Sequence, residues 1–232
     1  MRWLLTTALL GTLMQAPFEA GLHNATINVD GVGGMTYGIW VPRDYDPATP
    51  VPLVLALHPG GSPGAGYGTQ FLRGVVGPAL QDWGAIIVSP DAPGRRWANE
   101  TSERAVMALL DDVKDRYSID TDRILVTGFS MGGRGTWYFA SRHPDLFNAA
   151  IPMAARSDES DAARVGDMPV YIIHARDDEV VPFGPAEALA RTMDDRGQTV
   201  AFLPLEGVGH FQMGAAPLQQ AGEWVLERWA ER

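Results

Sequence analysis

The stretch Arg123–Arg142 narrows the folds open to this chain more than any other. Arg123-Ile-Leu-Val-Thr127 is an apolar run of the kind that forms a buried strand. Gly128-Phe-Ser-Met-Gly-Gly133 follows, and Arg134-Gly-Thr-Trp-Tyr-Phe-Ala-Ser-Arg142 then reads as a helix. Strand, G-x-S-x-G, helix is the sequence form of a nucleophile elbow. A serine held on a sharp, strained turn needs neighbours without Cβ atoms, because strand and helix pass close on either side. Such a turn lifts the Ser130 hydroxyl into a cleft. It also aims the Met131 N–H and the helix N-terminus at the same space, where negative charge is stabilised.

Around this turn the chain alternates. Ala25–Asp30 and Met35–Val41 flank Gly31-Val-Gly-Gly34 as an antiparallel hairpin. Leu53–Leu57 and Ala85–Ser89 are continuous apolar runs, as expected of strands covered on both faces, and Gln70–Trp83 between them is moderately helical. Thr101–Tyr117 carries Val106, Leu109, Leu110 and Val113 as an apolar helical stripe. Beyond the elbow, Ala149–Met153, Val170–His174 and Thr199–Leu203 read as strands, with helices at Gly184–Arg196 and Leu218–Trp229. Alternation from Leu53 onward means βαβ units and an α/β fold, a mainly parallel sheet of about eight strands flanked by helices. No linker or composition shift divides the chain, so residues 17–232 are expected to form one domain. Ala155–Met168 is polar and too short for a helical cap, and is expected to lie solvated beside the cleft.

With 232 residues, 46% of them hydrophobic, there is material for one sizeable core. A formal charge of -10 argues against nucleic acid and anionic membrane surfaces, both of which select basic patches. There are no cysteines, hence no disulfide, thiolate metal site or cysteine nucleophile. The histidines show no close ligand spacing, and no metal is expected. Residues 1–16 resemble a secretory signal peptide, one arginine followed by an apolar stretch, so a secreted or periplasmic protein is expected, the alternative being a helical N-terminal extension on a cytoplasmic one. Asn24-Ala-Thr26 and Asn99-Glu-Thr101 are glycosylation sequons, meaningful only in a eukaryotic secretory route.

A serine nucleophile needs a base, and the base an orienting acid. His210, in Gly207-Val-Gly-His-Phe211 directly after the last strand, can be swung over the carboxyl edge of the sheet by its flanking glycines. His23 precedes the domain, His143 ends a helix, and His58 and His174 end strands as hydrogen-bonded structural histidines or rival bases. Asp177 and Asp178 follow one strand and Asp158 the preceding one, so all three can reach the same edge. A second oxyanion donor should come from His58-Pro-Gly-Gly-Ser62. Pro59 has no N–H, which leaves Gly60 as donor and Gly61 in reserve beside the substrate. Trp97 and Trp137 could serve as stacking platforms in an open cleft, or as core; core is the stronger reading for Trp137, and Trp97 is expected to line the cleft and bind substrate with Gly61.

His58-Pro-Gly-Gly, Gly128-Phe-Ser-Met-Gly-Gly, Asp178-Glu-Val-Val-Pro and Gly209-His-Phe resemble the α/β-hydrolase superfamily, from about Ala25 to the C-terminus. The resemblance is nearest to lidless carboxylesterases: the polyhydroxyalkanoate-depolymerase-like and feruloyl-esterase-like enzymes and the phospholipase/carboxylesterase group. It implies a Ser130–Asp178–His210 triad, no cofactor, and a small-molecule or polymer-derived ester hydrolysed through an acyl-enzyme. The spacing of Asp178 to Val181-Pro182 is what selects it over Asp177 and Asp158. Many depolymerase-like relatives carry disulfides and this chain none, so polymer hydrolysis is not carried over. The rival expectations are a peptidase of the same superfamily and a non-catalytic binding protein on the same scaffold.

Overall fold

Side chains alternate across a sheet, so the apolar runs of this chain must be covered on both faces, and they are. The structure, a computed structural model, describes residues 16–61 and 64–232. The leader-like stretch 1–16 lies outside them save for Ala16, as do Ser62 and Pro63. Eight strands form one sheet: β1 (Gly21–Val29), β2 (Gly33–Val41), β3 (Val51–Leu57), β4 (Ile86–Pro90), β5 (Ile119–Phe129), β6 (Ala149–Met153), β7 (Val170–Ala175) and β8 (Val200–Leu205). Their spatial order is β1-β2-β4-β3-β5-β6-β7-β8. β1 and β2 pair antiparallel, as does β2 with β4. From β4 to β8 every pairing is parallel.

Leu53, Leu55 and Leu57 of β3 face one apolar layer, Val54 and Ala56 the other. The first layer is closed by α3 (Glu100–Arg116), α4 (Met131–Arg142) and α6 (Phe183–Asp195), through Val106, Leu109, Trp137, Phe139, Leu189 and Met193. The second is closed by α7 (Ala216–Ala230) and by a helical run from Tyr67 to Trp83, made of α1 (Tyr67–Phe71), a wide turn (Leu72–Val76), α2 (Gly77–Leu80) and a 3₁₀ turn (Gln81–Trp83). Parallel strands bring the loops after β3, β4, β5, β7 and β8 to one edge. Every candidate site residue lies in or next to these loops.

Several local expectations are corrected. β1 begins at Gly21, so His23 lies within the sheet, stacked on Phe18 at 5.0 Å, and does not precede the domain. The helical run starts at Tyr67, three residues before Gln70. Between Ala155 and Met168 the chain forms a short helix, α5 (Glu159–Arg164), capped by Asp158. Asp161, Ala162, Val165 and Met168 are buried, and the Arg134–Asp161 ion pair ties α5 to α4. This segment packs down as part of the wall; only its outer face is solvated.

Candidate active site

β5 ends in the interior of the sheet, with β3 on one side and β6 on the other. Ser130 then turns with φ 55° and ψ −112°, a left-handed backbone in a residue that is not glycine. The strain is held in place by packing. The Ser130 N–H donates to the Met153 carbonyl at 2.9 Å. A Cβ on Gly128 would meet the Gly132 carbonyl at 2.5 Å, and one on Gly132 would lie 1.8 Å from the Leu57 oxygen. Helix α4 therefore touches strand β3 backbone to backbone, and only glycine permits it.

His210 follows β8 in a 3₁₀ turn (His210–Gln212) and is buried. Its Nε2 lies 2.9 Å from Ser130 Oγ and its Nδ1 2.7 Å from Asp178 Oδ2. With Nδ1–H donated to the carboxylate, Nε2 is left to accept the serine hydroxyl. Asp178 Oδ1 accepts the N–H groups of Val180 and Val181 at 2.9 and 2.6 Å. Burial alone raises the Asp178 pKa. The hydrogen bond from His210 and those from the Val181 and Val180 amides outweigh it, and the carboxyl sits below its ordinary value.

Of the three acids considered, Asp178 is the one that reaches His210. Asp177 is exposed, and Asp158 caps α5, bonded to Ser160 and Asp161. His174 lies behind the acid: its Nε2 donates to the Val181 carbonyl at 2.9 Å and stands 3.4 Å from Asp178 Oδ2. Burial first of all depresses its pKa, so it is neutral there. His143, at the end of α4, bonds Glu103 at 2.8 Å, far from the serine in the fold.

Gly60 and Met131 face one another, since a Cβ on Gly60 would stand 3.6 Å from that of Met131. The loop carrying Gly60 and Gly61 is tied by its carbonyls. Trp97 Nε1 donates to His58 O at 2.9 Å, the His58 ring Nδ1 to Pro59 O at 2.7 Å, and Tyr67 Oη to Gly60 O at 3.4 Å. Across a trans peptide the next N–H points opposite to the carbonyl, so these bonds set the directions of the Gly60 and Gly61 amides. His58 Nε2 in turn accepts the Ala92 N–H at 3.0 Å. Burial depresses the His58 pKa and the imidazole stays neutral, as a ring that both donates and accepts must be. Asp91 accepts the Gly66 and Gly68 N–H groups, each at 2.7 Å, and so holds the same loop from its far end.

The expectation that Trp97 lines the cleft is corrected. Trp97 is 1% exposed, stacks edge-on against His58 at 5.0 Å, and acts beneath the loop as a donor. Trp137 is equally buried, in the core. The aromatic that does stand at the rim is Phe211, 77% exposed and edge-on to His210 at 5.0 Å. Reading the sequence alone also passed over Tyr67, Asp91 and Glu179. The mark on Glu179 is its place in Asp178-Glu-Val-Val-Pro, and nothing marks the other two.

A mostly parallel sheet with a strained serine turn between a central strand and the helix behind it is the α/β-hydrolase fold. Within that fold the sequence pattern of the dienelactone hydrolase family matches residues 90–216, more than half of the chain, and the chain belongs to that family. It is 30% identical over 202 residues to Cutinase 2 of Thermobifida cellulosilytica, covering 84% of this chain and 72% of that one. With feruloyl esterase C of Emericella nidulans it shares 27% identity over 179 residues, 72% of this chain and 63% of the relative. A solved thermostable esterase superposes with a TM-score of 0.76 at 29% identity, over 89% of this chain and 62% of its own. The chain thus spans under two thirds of the length of the feruloyl esterase and of that solved esterase. Among the described residues no helix is long and apolar enough to cross a membrane, and no cluster of His, Asp and Glu could hold a metal ion.

Proposed function

We propose that this chain is a carboxylic ester hydrolase working through a serine acyl-enzyme, with residues 17–232 as one catalytic domain. The observation that carries the reading is the run of two hydrogen bonds from Ser130 Oγ to His210 Nε2 and from His210 Nδ1 to Asp178, built on a strained turn. Ser130 Oγ attacks the ester carbonyl while its proton passes to His210 Nε2. Asp178 holds the tautomer and favours the imidazolium. The Met131 and Gly60 amides take the negative charge of the tetrahedral oxygen; one such donor is worth about 3 kcal/mol. Collapse breaks the bond to the alcohol, which leaves with the proton from His210. Water then attacks the acyl-serine, giving its proton to His210, and the acid departs as Ser130 is restored.

The names of the relatives, a feruloyl esterase and a cutinase, support an ester as substrate. The packed-down α5 supports a cleft without a cap, and with it dissolved short-chain or aromatic acyl esters. A panel of p-nitrophenyl alkanoates, methyl ferulate, a peptide anilide and tributyrin, the last followed through its solubility limit, tests this with Ser130→Ala as blank. The expected result is turnover of the dissolved esters, no jump at the tributyrin limit, and loss of activity in a folded S130A protein. Turnover by S130A at the wild-type rate would remove the proposal.

A further inference from the structure

His210 is held twice by one loop. Asp178 takes its ring, and the next residue takes its main chain: Glu179 Oε2 accepts the His210 N–H at 2.9 Å. The approach depends on Gly209, where a Cβ would fall 2.6 Å from that same oxygen. Gly209 itself is tied by its N–H to Gln212 Oε1 at 2.9 Å. We propose that Glu179 is a positioning residue for the base, fixing the His210 backbone while Asp178 fixes the imidazole, and that its charge adds to the field holding the imidazolium.

One bond to Nδ1 leaves the ring free to pivot about that atom. Anchoring the peptide at the other end of the side chain removes the pivot and keeps Nε2 on Ser130 Oγ, where small misplacements are costly. The charged and titratable groups that face His210 are few. Asp178 is anionic, His174 is held neutral by burial, and Glu179 is the second anion; its pKa is lowered, first of all by the His210 amide. Phe129, tilted against the imidazole at 5.0 Å, and Phe211 bring no charge. Glu179 is exposed, so its field is screened, but the hydrogen bond it makes is charge-assisted.

This inference rests on the Ser130–His210 reading, and the experiment separates the two. Wild-type protein is first treated with a fluorophosphonate probe; failure to label Ser130 strikes that reading and leaves no base to position. With labelling established, Glu179→Ala, Glu179→Gln and Glu231→Gln are compared on p-nitrophenyl butyrate across pH 5 to 9. Glu231, which accepts from Arg228 at 2.7 Å at the C-terminal end of α7, supplies the same change in net charge a full helix length beyond the turn that carries His210. In E179A, kcat and the labelling rate are expected to fall roughly tenfold with KM within about twofold, the loss of one charge-assisted hydrogen bond. E179Q keeps an acceptor and should recover most of kcat. Both variants lose the charge, so the acid limb of kcat/KM should move down by about half a pH unit, while E231Q leaves it in place. Wild-type kcat and an unmoved limb in E179A would overturn the proposal. So would a loss confined to melting temperature. Should E179A fail to fold, the limb of E179Q decides, and an unmoved limb there is equally fatal.

Discussion

Replacing Gly132 by alanine tests the packing that shapes the serine turn. The new methyl carbon would lie 1.8 Å from the Leu57 oxygen, 2.5 Å from its carbonyl carbon and 2.8 Å from the His58 oxygen. All three atoms are backbone, so no rotamer change relieves the contact. Strand β3 and helix α4 must part by more than an ångström within a layer where Leu57, Trp97 and Trp137 are fully packed. Overpacking that side chains can absorb costs about 1–3 kcal/mol, and a forced backbone shift belongs at or beyond the upper end. About 3 kcal/mol in a chain of this size lowers Tm by roughly 6–12 °C. The same shift carries Met131 and Ser130 with it, so fluorophosphonate labelling of the folded fraction should slow at least about a hundredfold. Thermal melts followed by circular dichroism, with labelling measured well below Tm, read both effects. Gly184→Ala is the control, for a Cβ there meets nothing within 4 Å, and it should melt at or slightly above wild type. A G132A protein melting within about 2 °C of wild type and labelling normally would refute the account of the turn.

Two further outcomes are expected. Asp178→Asn should lower kcat by about 10³–10⁴-fold, since an amide favours neither the required tautomer nor the imidazolium, whereas Asp177→Asn and Asp158→Asn should stay within about threefold; parity among the three in ester assays would sink the choice of acid. Burial depresses the pKa of both His58 and His174 in the native state, whereas the unfolded chain takes up those protons near the ordinary value of 6.5. The unfolded state then binds more protons below that pH. The stability involved is fully present above pH 6.5 and is lost as pH falls, by up to about 1.4 kcal/mol per unit for each histidine. Melting temperature should accordingly drop between pH 6.5 and 5, before carboxylates titrate, and a constant Tm across that window would contradict the neutral buried assignment.

The architecture was legible because buried parallel strands leave little choice of residue: Leu53–Leu57 is apolar throughout, Val170–Ile173 carries only the Tyr171 hydroxyl, and both lie at the positions read for them. Edge and end segments were less so. The polar start of β1, His23-Asn24, is tolerated because that strand pairs on one side only. β5 extends back to Ile119, which pairs with Val51, and Asp120 and Asp122 lie in the irregularity of register between that pair and the apolar run. Ala155–Met168 misled through its charge: Asp161 is buried because Arg134 and Ser141 satisfy it, a partnership made by tertiary contact and invisible in composition. Within the site, glycine spacing and chain order marked Ser130 and His210 as candidates, and pattern marked Asp178. Trp97 was misplaced because an indole with a polar handle serves a rim or a core equally well, and only its neighbour His58 decides.

The placement of His210 has a consequence for how the proposed activity would be lost on heating. Ser130 leaves a strand hydrogen-bonded on both sides, but His210 follows β8, which among the described residues is bonded only to β7 and is half-buried along its whole length. Opening free energies within one domain run from near zero at fraying edges up to the global value in central strands. Ser130 and His210 therefore depend on a central and an edge strand of one sheet. Peeling of β8 would part Nε2 from Oγ while β3, β5 and β6 stay folded. Inactivation on warming would then be a local, reversible event that precedes melting, and its temperature would be set by the edge of the sheet, not by the core.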